Sequence, residues 1–143
     1  MTQLVHDLIK HKGGKVESTS PETSVDAAIV HMTAKHIGSL LVISNGELVG
    51  IITERDMLAR VLAARRDPLT TFVREVMTRD LIVIRPHDTI ARALAIVSDC
   101  RCRHLPVVEG GKLLGLISSG DLTAWLVRDQ RQTIDDLHQY ITR

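Results

Sequence analysis

The sequence predicts a mixed α/β (α+β) fold built from two copies of one β-α-β-β-α unit, with a short helix at each end. Three observations carry this. Segment 21–62 aligns without a gap on segment 86–127, at a constant displacement of 65 (121 − 56). Each copy passes from a helical apolar period to two apolar runs of strand length. A glycine-bearing tight turn separates those runs in both copies, Asn45-Gly46 in the first and Gly110-Gly111 in the second.

The first element of each copy is an extended stretch, 16–20 and 81–85, ending before Pro21 or Pro86. A residue that precedes proline is pushed out of the helical region. A helix follows, with Val25, Ala28, Ile29 and Met32 on one face in copy one and Ile90, Ala93, Leu94 and Val97 in copy two. Thr23 with Asp26, and Asp88, are the expected caps. Two strands come next, 40–43 with 48–53 and 105–108 with 113–118. They are apolar on both faces, which places them between other elements rather than half in water. A second helix closes each unit, 56–64 and 121–128. The segment 65–75 is charged, contains Pro68 and reads as a linker. Outside the repeat, 2–11 is a short amphipathic helix stopped by Gly13-Gly14, and 133–141 carries Ile134, Leu137 and Ile141 on one stripe. The expected boundaries are therefore 1–14, 15–64, 65–75, 76–128 and 129–143.

Composition narrows the function classes. The 143 residues are 44% apolar but only 2% aromatic, so the core is aliphatic. The net charge is +1 with acids and bases interspersed, and no basic block exists to follow a nucleic-acid backbone. No run reaches the length of a membrane span, and residues 1–12 lack the apolar stretch of a secretory leader, so a bacterial-type cytoplasmic location is expected. Cys100 and Cys102 are too close in sequence to favour a disulfide and lack the spacing and second pair of a zinc site, so no metal is expected.

One pattern carries chemistry: Gly, two apolar residues, Thr or Ser, two variable residues, Asp. It occurs as 50–56, with Thr53 and Asp56, and as 115–121, with Ser118 and Asp121. The strand ends at the hydroxyl and the carboxylate opens a helix. A carboxylate there can accept both hydrogen bonds of a ribose diol, while the hydroxyl and free N–H groups suit a phosphate. The same spacing is also a helix-capping box, which needs no ligand. The residues hold no paired base and nucleophile, no nucleophile elbow and no glycine-rich phosphate loop, so an enzyme is not expected.

The repeat, the strand 105–108 with its Leu-Pro-Val-Val, and the paired junctions together resemble tandem CBS domains, of the small stand-alone bacterial kind. The resemblance covers about residues 12–128. It implies two units packed through their sheets with pseudo-twofold symmetry, and an adenosyl ligand such as AMP, ADP, ATP, NAD or S-adenosylmethionine in two clefts between them. It implies one cleft with Asp121 on the ribose, Ser118 on ribose or phosphate, Arg103 and His104 on the phosphates, and Gly13, Gly14, Val16, Ile37 and Gly38 about the adenine. The other cleft would use Asp56 and Thr53, with Thr78, Ile82 and Cys102 about the base and Arg55 as a cation. Arg103 and His104 align with the uncharged Gly38 and Ser39, so the Asp121 cleft is expected to bind more tightly. The resemblance also implies a homodimer through the helices and an unidentified regulated protein as partner. Trp125, aligned with Arg60, is expected at a contact with another chain or against the terminal helix. The competing readings are a dimerisation module whose motifs are only caps, and a redox accessory protein using the cysteines.

Overall fold

The computed structural model describes residues 3–13 and 15–141, and in it the chain divides into two units. Lys15–Leu81 forms the first-repeat unit; Met1–Gly14 together with Ile82–Arg143 forms the second-repeat unit. Gly14, expected about the adenine, lies outside the described residues.

The first-repeat unit holds β1 (Ser18–Thr19), α2 (Val25–Lys35), β2 (Ser39–Ser44), β3 (Glu47–Thr53), α3 (Glu54–Asp56) and α4 (Val73–Val76). The second-repeat unit holds α1 (Val5–Lys12), α5 (Ile90–Cys100), β4 (His104–Glu109), β5 (Lys112–Ser118) and α6 (Ser119–Ile141). The hairpins obey the turn chemistry. Asn45 and Gly46 have φ of 52° and 80°, and Gly110 and Gly111 have 57° and 77°, the doubly left-handed turn that matches strand twist. Both hairpins carry a register irregularity at the same repeat position, Val42/Ile43 and Val107/Val108.

β1 pairs in parallel with β2, but its counterpart in the second unit is only the bridge between Ile84 and Val107. A proline accounts for the difference. The Leu41 N–H donates to the Glu17 carbonyl, and Pro106 stands at that position in the second copy with no N–H to give. Two bonds remain there, Ile84 N–H to the Pro106 carbonyl and Val108 N–H to the Ile84 carbonyl, each at 2.9 Å.

Several expectations are corrected. The caps lie one residue later than Thr23 and Asp88. Ser24 accepts from the Ala27 N–H and Thr89 from the Arg92 N–H, because the cap must be extended and these are the last such residues. Helix 56–64 is not regular: α3 continues as a π-helical segment, Met57–Leu62, with the Ala63 N–H reaching the Leu58 carbonyl. The separate helices 121–128 and 133–141 are one helix, α6. Between them stand Asp129, Gln130, Arg131 and Gln132, with no glycine or proline to break the ladder. α6 is long, but no helix of the described residues is long and apolar enough to cross a membrane.

The largest correction concerns the segments read as linker and as an outlying helix. Val73, Val76 and Met77 are buried in the first-repeat core with Val25, Leu40 and Ile52. Val5 and Leu8 are buried in the second-repeat core with Ile90, Leu105 and Ile117. The two insertions match bond for bond. Val73 N–H donates to the Thr23 carbonyl as Val5 N–H does to Asp88; Arg74 N–H donates to Pro21 as His6 does to Pro86. Each half therefore closes its core with a helix supplied from the stretch preceding the other repeat.

Candidate functional site

Each duplicated glycine marks where that inserted helix arrives. A Cβ on Gly50 would lie 2.8 Å from Met77 Sδ and 2.9 Å from the Thr78 carbonyl; a Cβ on Gly115 would lie 2.7 Å from Ile9 Cδ1. The missing side chain lets the insertion lie against the strand. It also carries the residues just after Met77 and Ile9 to the strand-to-helix junction.

At the first-repeat junction the Thr53 hydroxyl accepts from the Asp56 N–H at 3.2 Å, and Asp56 Oδ2 accepts from the Thr53 N–H at 3.0 Å and the Thr53 hydroxyl at 3.2 Å. Thr78 Oγ1 donates to the other carboxylate oxygen, Oδ1, at 3.1 Å. Asp56 is buried, and Arg60 Nε lies 3.8 Å from Oδ1. This carboxylate is fully engaged by its own unit. Arg55 is exposed beside it; Gly38 lies against Glu54, whose N–H donates to the Gly38 carbonyl; Ile37 packs on the core and Val16 is half-buried.

The second-repeat junction is built alike but engaged differently. Ser118 Oγ accepts from the Asp121 N–H at 3.0 Å, and Asp121 Oδ2 accepts from the Ser118 N–H at 2.8 Å. Lys12 Nζ reaches the same Oδ2 at 2.5 Å and the Leu116 carbonyl at 2.6 Å. Oδ1 stands outside these bonds. Burial alone would push the Asp121 carboxyl up, but the Lys12 ammonium and the Ser118 N–H outweigh it and hold it below the ordinary value. Arg103 is exposed, its carbonyl accepting from the Ser119 N–H, and His104 is half-buried on β4 opposite Ser118. Gly13 caps α1 with φ of 96°.

So the structure brings Ser118, Asp121, Arg103 and His104 to one strand end, and Thr53, Asp56 and Thr78 to the other. Ile82 is exposed. Cys102 packs on the second-repeat core, and burial, then the neighbouring Cys100, pushes its thiol up. Lys12 is the junction residue that sequence reading missed. It lies in an insertion that follows a displacement of 68 (73 − 5) rather than 65, so the ungapped alignment could not see it.

The family model for the CBS domain matches residues 5–63 and 73–128. The chain belongs to the CBS-domain family. Both CBS matches begin at an inserted helix, at residues 5 and 73, in agreement with the longer repeat seen in the fold. The chain is 33% identical to the mitochondrial CBS domain-containing protein CBSX3 of Arabidopsis thaliana, over 96% of this chain and 71% of that protein. Among solved structures it is similar to the CBS-domain protein NE2398, with 36% identity, TM-score 0.85 and coverage of 89% and 99%. A CBS-domain protein from Burkholderia ambifaria MC40-6 gives 36% identity, TM-score 0.86 and coverage of 90% and 96%. CBSX2, solved in complex with AMP, shares the fold at 23% identity, TM-score 0.75 and coverage of 88% and 97%.

Proposed function

We propose that this protein is a non-catalytic regulatory module that binds an adenine nucleotide of the AMP, ATP or NAD type, with Asp121 as the ribose ligand. CBS-pair proteins are in general regulatory and nucleotide-binding, and a protein of the same fold was solved with AMP. The observation that carries the reading is the inequality of the two junctions. Asp121 keeps Oδ1 outside its capping bonds and retains partial exposure, whereas Asp56 spends both oxygens on Thr53 and Thr78. An ionised carboxylate with one oxygen outside its capping bonds can accept from a ribose hydroxyl. Ser118, Arg103 and His104 complete the proposed site within the second-repeat unit, with the backbone about Gly13 beside them. The Asp56 junction, with Thr53, Arg55 and Thr78, is the proposed weaker position.

Thermal unfolding with AMP, ADP, ATP and NAD tests this. A nucleotide at a hundredfold its Kd adds about 2.7 kcal/mol, and Asp121→Ala removes that gain while costing the free protein about 1 kcal/mol of capping. A wild-type melting point that no nucleotide moves rejects the proposal.

A second copy of the chain is the proposed partner, with an unidentified regulated protein beyond it and cytoplasmic location as before. Val30, Leu58 and Leu62 of the first-repeat unit are each more than 60% exposed, apolar helix residues that a second copy would cover. The CBS-CP12 protein of bloom-forming cyanobacteria, 28% identical with TM-score 0.76, is described as a hexamer. Sedimentation of the wild type as a dimer, and of Leu58→Glu as a monomer, is the expected result; a wild-type monomer at high concentration removes this partner.

A further inference from the structure

We propose that Lys12 makes the Asp121 junction select phosphate-bearing ligands over the bare nucleoside, an inference that rests on the nucleotide reading above. In the free protein the Lys12 ammonium occupies the carboxylate a ribose needs, 2.5 Å from Oδ2, while a second of its protons goes to the Leu116 carbonyl at 2.6 Å. A diol that takes both carboxylate oxygens must displace this ammonium. A nucleoside brings two neutral hydroxyls and leaves the displaced cation with only the Leu116 carbonyl. A nucleotide brings its own anion, and a charge-assisted bond from ammonium to phosphate is about twice as strong as a neutral one.

The surroundings favour the same exchange. Lys12 and Asp121 line a cavity of about 220 Å³ with Leu8, His11, Trp125 and Arg128. Its walls bring two cations, Lys12 and Arg128, against the single carboxylate of Asp121. Arg128 is engaged with its own neighbours: its guanidinium donates to His11 Nδ1 at 3.1 Å and lies 5.1 Å from the Trp125 ring centroid. Moving Lys12 from Asp121 to an incoming phosphate therefore leaves no ion without a partner.

The cavity carries its own reporter. Trp125 is the chain's single tryptophan. It meets the His11 ring edge-on at 5.5 Å, and its indole N–H donates to Gln3 Oε1, so the C-terminal turn of α1 and the chain before that helix both press on it. Displacement of Lys12 at the end of α1 is expected to change Trp125 emission.

Calorimetric titration of the full chain with AMP and with adenosine tests the inference, on wild type, Lys12→Met, Lys12→Gln and Lys12→Arg, each checked for folding by circular dichroism. The wild type is expected to prefer AMP by at least about tenfold, the size of one charge-assisted bond. In Lys12→Met and Lys12→Gln adenosine tightens, AMP weakens and the preference falls below about threefold; Lys12→Arg keeps it. Trp125 emission is expected to shift as AMP saturates the wild type. Folded Lys12→Met or Lys12→Gln that still discriminates as the wild type does overturns the inference and leaves the nucleotide reading standing. Titrations in which neither ligand binds the wild type remove that reading and the inference with it.

Discussion

Asp56 and Asp121 hold the same place in the repeat, yet one is saturated and the other is shared with a lysine. The difference follows from what each inserted segment delivers: a threonine hydroxyl at 3.1 Å in one case, an ammonium at 2.5 Å in the other. The ammonium leaves a titration signature. Because the folded pKa of Asp121 is depressed, its stabilisation is complete above the unfolded value and is lost as the pH falls through the folded one. Carbon-detected NMR titration is expected to place the Asp121 midpoint below the ordinary aspartate value, and Lys12→Met is expected to move it upward; an unchanged midpoint would show that Lys12 does not hold the carboxylate. Both junction motifs were legible in the sequence, because their chemistry sits within seven consecutive residues. The sequence left open whether they cap or bind; in the structure both cap, and Asp121 Oδ1 lies outside the capping bonds. Trp125 was legible as unusual but not in its contact, since its partners Gln3 and His11 lie more than a hundred positions away.

Among the elements, the hairpins, α2 and α5 could be read locally, because turn glycines and a helical apolar period act over short spans. The inserted helices could not. Val73–Val76 is one turn long, and its burial depends on partners some fifty residues earlier. The glycines that admit the insertions differ in what they face, and this orders two substitutions. Gly50→Ala drives a methyl into the Thr78 carbonyl, backbone fixed by its paired bonds with Ile51, as well as into Met77. Gly115→Ala meets only the terminal methyl of Ile9, which can rotate away. Chemical denaturation is expected to cost Gly50→Ala about 2 kcal/mol and Gly115→Ala less than about 1 kcal/mol. Equal losses would mean that the two insertions are held with the same rigidity. Pro106 acts at this scale too: one absent N–H turns a parallel strand pair into a single bridge.

For the whole molecule, the duplication gives two cores of the same design, each completed by a segment that precedes the other repeat. The first-repeat core lies wholly within Lys15–Leu81, whereas the second-repeat core takes its inserted helix from the far end of the chain. The α/β class, the repeat and the family were all legible, since a sixty-five-residue period is a property of the entire sequence. The proposal stands or falls on a nucleotide ribose reaching the Ser118–Asp121 strand end, and amide chemical-shift mapping during an AMP titration reads that position. The largest shifts are expected on Ser118, Ser119 and Asp121, with smaller ones at Thr53 and Asp56. Saturating AMP that leaves the Ser118 and Asp121 amides unmoved would rule that position out.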